Sequence, residues 1–231
     1  NGLAIGNFAS SGSNQSIAIG YYSVATATEA DPALPATAVG AGANATGQST
    51  VALGLLAQAT SGSTTALGAK SVASEDAAVA VGYGTKATGN YASALGADAT
   101  ASNNDATAFG HGTVASGGSS TALGSRAKAG GTAGVGIGML ANATNQYGVA
   151  IGGESSSSAD NSIAIGRKSS VTGESGIAIG AFTTSKGANG VAVGTNGTKA
   201  DLGGVAVGQA AQSIAFNSVA TGKIGRASCR E

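Results

Sequence analysis

The stretch Asn14-Gln15-Ser16-Ile17-Ala18-Ile19-Gly20 decides how this chain is read. Counted back from its glycine, it runs aliphatic, alanine, aliphatic, small residue. The same frame returns at Gly6, Gly40, Gly54, Gly68, Gly82, Gly96, Gly110, Gly124, Gly138, Gly152, Gly166, Gly180, Gly194, Gly208 and Gly222. Successive anchors are 14 residues apart, except for the step of 20 from Gly20 to Gly40. A fixed period over sixteen copies predicts a repeat architecture, in which each unit buries its inner face only by stacking on its neighbours.

The 231 residues include 40 Gly, no Trp, five Tyr and four Phe, and the formal net charge is zero. Without a period, so much Gly, Ala, Ser and Thr would read as a low-complexity chain. The period rejects that reading, because a large apolar residue precedes every anchor but Gly222, where Thr221 stands instead. Scattered Lys and Arg form no basic stripe for nucleic acid and no polybasic membrane patch. No run of about 18 apolar residues is present to span a bilayer as a helix. No charged n-region with an apolar h-region opens the chain; Asn1-Gly2-Leu3-Ala4-Ile5-Gly6 is already repeat, as in a segment of a longer array. Cys229 is the sole cysteine, so no intrachain disulfide is available. It lies in residues 223–231, read as a non-repeat tail after an array that fills 1–222.

Each unit divides into two short strands. The first ends at the anchor, as in Val51-Ala52-Leu53-Gly54 and Ile163-Ala164-Ile165-Gly166. Its alternation of large and small residues, with β-branched side chains dominant, is a strand signature. The second lies three to six residues after the anchor and reads small-x-small, as in Ala57-Gln58-Ala59 and Ala141-Asn142-Ala143. A polar turn such as Thr172-Gly173-Glu174 follows, rich in residues that tolerate positive φ. Frequent Gly and the lack of a 3.6-residue stripe exclude helix. Stacked, these units predict an all-β, parallel β-roll solenoid with two sheets. Coils about 4.8 Å apart would make a rod roughly 70 Å long.

The two faces of the first strand differ. One carries two aliphatics per coil, such as Ile17 and Ile19, and is expected to point inward against the Ala/Ser face of the second strand. The other, Ser16, Ala18 and Gly20 in the same coil, is small and uncharged along the whole array. As an outer face it would be smooth enough for another subunit, which predicts a homo-oligomer. The break Glu29-Ala30-Asp31-Pro32-Ala33-Leu34-Pro35 holds both prolines and reads as an insertion at 29–35 in a turn, which a solenoid tolerates.

No enzyme is legible. His111 is the sole histidine, beside Gly110 at a turn, without the partners that a metal or a nucleophile would need. The 11 carboxylates are dispersed, so no acid/base pair stands out. Gly-x-Gly recurs at Gly40/Gly42, Gly82/Gly84, Gly110/Gly112 and Gly136/Gly138, yet the sixth position is never Gly, so no dinucleotide fingerprint is completed. Nor is there an Asp at a fixed place in each turn, as calcium-binding rolls require. No catalytic, metal, cofactor or ligand residue is assigned.

The unit Ser-Ile-Ala-Ile-Gly, followed by x-x-Ser/Ala-x-Ala and a polar turn, resembles the YadA-type head repeat of trimeric autotransporter adhesins. The resemblance runs from Gly2 to about Gly222. It implies a left-handed β-roll, three copies side by side as a homotrimer, and a place on the bacterial surface, anchored in the outer membrane through a C-terminal region that this chain lacks. Neck, stalk, anchor and signal peptide are all absent from these residues. The function implied is attachment to host extracellular matrix or cell-surface molecules; the alternative is a passive spacer that displays a binding domain elsewhere in the fibre. An ice-binding solenoid would need unbroken threonine files, and the file Thr26, Thr46, Thr60, Thr88, Thr144 is interrupted by Ser74, Gly130 and Lys186. Outward positions two and four after the anchors hold Phe8, Tyr22, Leu56, Lys70, Lys86, Arg126, Lys128, Lys168 and Phe182, with Val24, Val72 and Val114 among them. No two coils match, which argues for distributed contacts rather than one small-molecule pocket.

Overall fold

A three-residue strand precedes each anchor and a two-residue strand follows each as far as Gly208, in a computed structural model that describes residues 1–27 and 34–222. The proposed tail at 223–231, with Cys229, lies outside the described residues, as does the insertion at 29–35 apart from Leu34 and Pro35. The chain forms two compact units, Asn1–Ser119 and Ser120–Glu231. In the former, first strands run from Leu3–Ile5 to Thr107–Phe109 and second strands from Ser10–Ser11 to Val114–Ala115. In the latter they run from Thr121–Leu123 to Val219–Thr221 and from Lys128–Ala129 to Gln212–Ser213.

Within each unit first strands pair with first strands and second with second, in chain order and always parallel. Equivalent repeat positions face each other: Val79, Ala80 and Val81 lie opposite Ser93, Ala94 and Leu95. This is the expected parallel β-solenoid. The step of 20 leaves the stacking intact, since Ile17 pairs with Thr37 and Val24 with Asn44. One coil redistributes its residues. Between Gly194 and Gly208 the second strand comes one residue late, with Lys199 opposite Thr184 on one side and Gln212 on the other. The first turn has gained the residue that the second has lost.

The faces of the first strand are the reverse of the expectation. Ser16 and Ala18 are fully buried, whereas Ile17 and Ile19 are only half-buried. The same holds along both units: Ala52, Ala80, Ala164 and Ala178 point inward, while Leu53 and Ile179 remain 41% and 39% exposed. The reason is the closeness of the sheets. Where Gly136 replaces the usual inward alanine, an added Cβ would stand 2.4 Å from the backbone oxygen of Lys128 in the opposite sheet. Sheets that interdigitate large side chains stand about 10 Å apart; here two backbones meet across little more than methyl groups.

The interior is therefore a column of Ala, Ser, Thr and Gly. Its largest fully buried side chain is Val171. It is accommodated by Gly176, whose Cβ, if present, would lie 2.8 Å from the Val171 Cγ1. Buried hydroxyls are satisfied locally. Three residues after an anchor, Ser71, Thr113 and Thr183 donate to the carbonyls of Gly68, Gly110 and Gly180 at 2.8, 2.8 and 2.7 Å. The second turn uses the same device, with Thr50 donating to Gly47 at 2.7 Å. Such bonds remove the penalty of burying a hydroxyl and fix both corners of the coil.

Both corners also place a residue in the left-handed region, and it is seldom glycine. Tyr22, Leu56, Lys70, Arg126 and Phe182 take φ of 54° to 60° in the first turn, as do Ser63, Tyr91 and Asn189 in the second. The strain is about 1–2 kcal/mol each. It is offset by a backbone bond to the preceding coil, such as Leu56 N–H to Ala41 O at 2.9 Å or Tyr91 N–H to Asp76 O at 2.8 Å. The ladder thus continues through the turns.

Candidate functional site

With the small residues inside, the large ones form the surface. In Asn1–Ser119 the position before the anchor runs Ile5, Ile19, Val39, Leu53, Leu67, Val81, Leu95, Phe109, and in Ser120–Glu231 it runs from Leu123 through Ile137, Ile151, Ile165 and Ile179 to Val207. Two residues upstream lies a parallel file, with Val51, Val79, Val149, Ile163, Ile177 and Val191 among its members. Side chains in one file are separated only by the coil spacing of about 4.8 Å. Neither file contains a charged residue. The file before the anchors is apolar up to Val207, while the other is interrupted by Thr37, Thr65, Ser93, Thr107 and Thr121. Apolar side chains lined up on a surface make this face the candidate interaction surface.

Its sequence signal lay in the repeats themselves. The inward position two before the anchor is Ala in every coil but one, where it is Gly136, whereas the neighbouring positions accept Ile, Val, Leu, Phe, Thr and Ser. A position that tolerates only the smallest side chains is the crowded one.

The other predicted outward residues are outward. Phe8 and Tyr22 are 61% and 51% exposed, and Leu56, Lys70, Lys86, Arg126, Lys128, Lys168 and Phe182 are also exposed; Val24, Val72 and Val114 are half-buried. Phe8 stacks on Tyr22 at 4.7 Å between ring centroids, with Tyr21 edge-on to Tyr22 at 4.5 Å. This aromatic cluster, which sequence spacing alone did not single out, is made by coil stacking. Arg167 lies over the Phe182 ring at 4.5 Å, and Lys168 pairs with Glu154 at 3.4 Å. His111 is exposed at its turn, and among the described residues no three His, Cys, Asp or Glu side chains gather as a metal site.

If the aliphatic face is covered by other copies, charging it should separate them without unfolding the coils. Ile151→Asp, Ile165→Asp and Ile179→Asp combined should leave the β-sheet circular dichroism unchanged and give a monomer in sedimentation. Retained assembly would show that this face is not the contact.

The family profile described as YadA head domain repeat (2 copies) matches residues 1–28, 35–57, 59–85, 87–113, 143–169 and 172–196, together more than half of the chain. Among solved structures, the chain is similar to the collagen-binding domain of the Yersinia adhesin YadA, at 24% identity and a TM-score of 0.30, over 90% of this chain and 82% of that one. No curated protein matches the sequence.

Proposed function

Because the chain belongs to the family of YadA head-domain repeats, we propose that it is an adhesin head segment that assembles as a side-by-side homotrimer and attaches to host matrix or cell-surface molecules. The head is displayed outside the bacterial cell, on a protein anchored in the outer membrane. The observation that carries the assembly is the uncharged aliphatic face of the first sheet. Burying it removes apolar surface from water at about 25 cal/mol per Å². Three is the number that the family implies, and a threefold axis along the direction in which the coils stack lets equivalent faces converge. The roll is left-handed on the same ground.

Attachment is assigned to the residues that remain outside, those on the outer face of the second sheet. Their side chains change from coil to coil, from Val72 to Lys86 to Thr100 to Val114, while the spacing stays constant. Such a surface suits an elongated or repetitive partner held by many weak contacts, whose avidity exceeds any single one.

A deletion series that removes whole 14-residue units in register, scored on immobilised matrix proteins, tests this reading. Attachment should weaken progressively with each unit, and no single surface substitution should abolish it. Loss of binding through one substitution, or undiminished binding by the shortest array, would replace distributed contacts by a discrete site. No binding at any length would favour the passive spacer.

A further inference from the structure

Two opposite charges within Asn1–Ser119 lie in one coil, on opposite edges, and neither has an ionic partner in its own chain among the described residues. Lys70 stands two residues after Gly68, in the first turn, at φ 60°. Its Nζ lies 5.7 Å from the Tyr83 ring centroid, so the amine is held at the edge and left open to solvent. Asp76 stands in the second turn of the same coil. It lines a hollow of about 610 Å³ with Gln48, Ser61, Ser63 and Tyr91. The Asp76 carboxylate is preset: its Oδ1 accepts from the Ser61 hydroxyl and from the Gly62 N–H at 3.1 Å. Glu75 adds a second negative charge beside it.

We propose that copies of this chain join in one sense only, the first-turn edge of one protomer against the second-turn edge of the next, with Lys70 entering the hollow toward the partner subunit's Asp76. The inference rests on the homotrimer proposed above and specifies how its subunits meet. Rotation about an axis parallel to the direction in which the coils stack carries no translation, so each residue meets the neighbouring subunit at its own height. Closed cyclic symmetry also forces unlike edges together, whereas a twofold would bring like edges together. Lys70 and Asp76 share a coil, and therefore a height. In Ser120–Glu231 the coil after Gly166 carries Lys168 and Glu174 at the same offsets from its anchor, with Arg167 beside Lys168. The coil after Gly96 is a contrasting case, since Asp98 stands at the Lys70 position and Asp105 one residue beyond the Asp76 position, which would bring like charges near each other. The coil after Gly152 holds Glu154 and Asp160, but there Lys168 already lies 3.4 Å from Glu154.

The pairing is tested by cysteine cross-linking of the full chain in a Cys229→Ser background. Lys70→Cys combined with Asp76→Cys should be joined by a short bismaleimide, which spans the reach of the replaced lysine stem where a disulfide would not, into covalent dimers and trimers and stop there, while each single variant should give none. Interchain product from Lys70→Cys alone would mean that like edges meet, which overturns the proposal. A trimer in sedimentation without cross-links from the double variant would overturn the edge pairing and leave the trimer standing. A monomeric Cys229→Ser parent would overturn both. Charge substitutions give a second readout. Lys70→Glu should raise the concentration for half-assembly about tenfold, the sum of modest contributions from three exposed contacts per ring. Asp98→Lys should lower it by removing a like-charge pair; an increase would contradict the shared heights.

Discussion

The Ala164→Lys chain is expected not to fold, whereas Ile165→Asp, one residue along the same strand, keeps its fold and loses its partners. Ala164 is fully buried and packs with Val171 and Ala178 in the column between the sheets. That column admits little more than a methyl group per position, so a lysine stem overpacks it. Its ammonium would also sit among backbone groups already bonded along the ladder. An unpaired buried charge costs several kcal/mol, and overpacking typically adds about 1–3. Each coil is held only by its neighbours, so the loss propagates along the stack. Ile165 points the other way and is only half-buried. Circular dichroism and sedimentation on the two variants separate the cases. A folded Ala164→Lys monomer beside an unfolded Ile165→Asp chain would return the aliphatics to the interior.

Gly166→Ala should be among the more damaging of the conservative changes. Gly166 has φ +125°, and its added Cβ would lie 2.5 Å from the carbonyl carbon and oxygen of Gly180 in the next coil. Both obstacles are backbone, so neither can rotate away. Backbone strain alone is worth about 1–3 kcal/mol. With the clash, a loss above about 3 kcal/mol is expected, equivalent to a fall in melting temperature of roughly 6–12 °C for a chain of this size. Lys168→Ala is the control. Lys168 is exposed at φ 55°, and its pair with Glu154 is a surface one, so its removal should cost under about 0.5 kcal/mol. Equal melting temperatures for the two variants would show that the anchors are not points of close approach between coils.

Much of the fold was legible because the repeat is so regular. The anchors, both strands and the polar turns could be placed from the frame around Gly20, since an alternation repeated every 14 residues has few other solutions. The inward face was not, because hydrophobicity is a guide to burial only where the interior has room. Ile17 and Ile19 look like core residues by chemistry, and Ala18 looks like filler. In so narrow a coil, volume outranks hydrophobicity and alanine takes the core. This correction moves the expected subunit contact as well. The smooth Ser/Ala/Gly face that suggested oligomerisation is internal, and the aliphatic files now carry that expectation. The left-handed turn residues were hidden for a different reason. Tyr22, Leu56 and Phe182 are not the types that announce positive φ, and it is bonding between coils that holds them there.

Site information was thinner. Exposed residues such as Lys70 and Phe182 were correctly placed outward by their offset from the anchors. The clustering of Phe8 with Tyr21 and Tyr22 depends on contacts between successive coils, and the hollow around Asp76 gathers side chains from several of them. Neither is a local pattern in the sequence.

The central claim, that the aliphatic files are a buried contact between copies of this chain, is tested most directly by sedimentation equilibrium of the unmodified protein. The account predicts a folded species of three times the 21.5 kDa chain mass at micromolar concentration. A stable, folded monomer of 21.5 kDa, with its aliphatic face open to solvent, would contradict it.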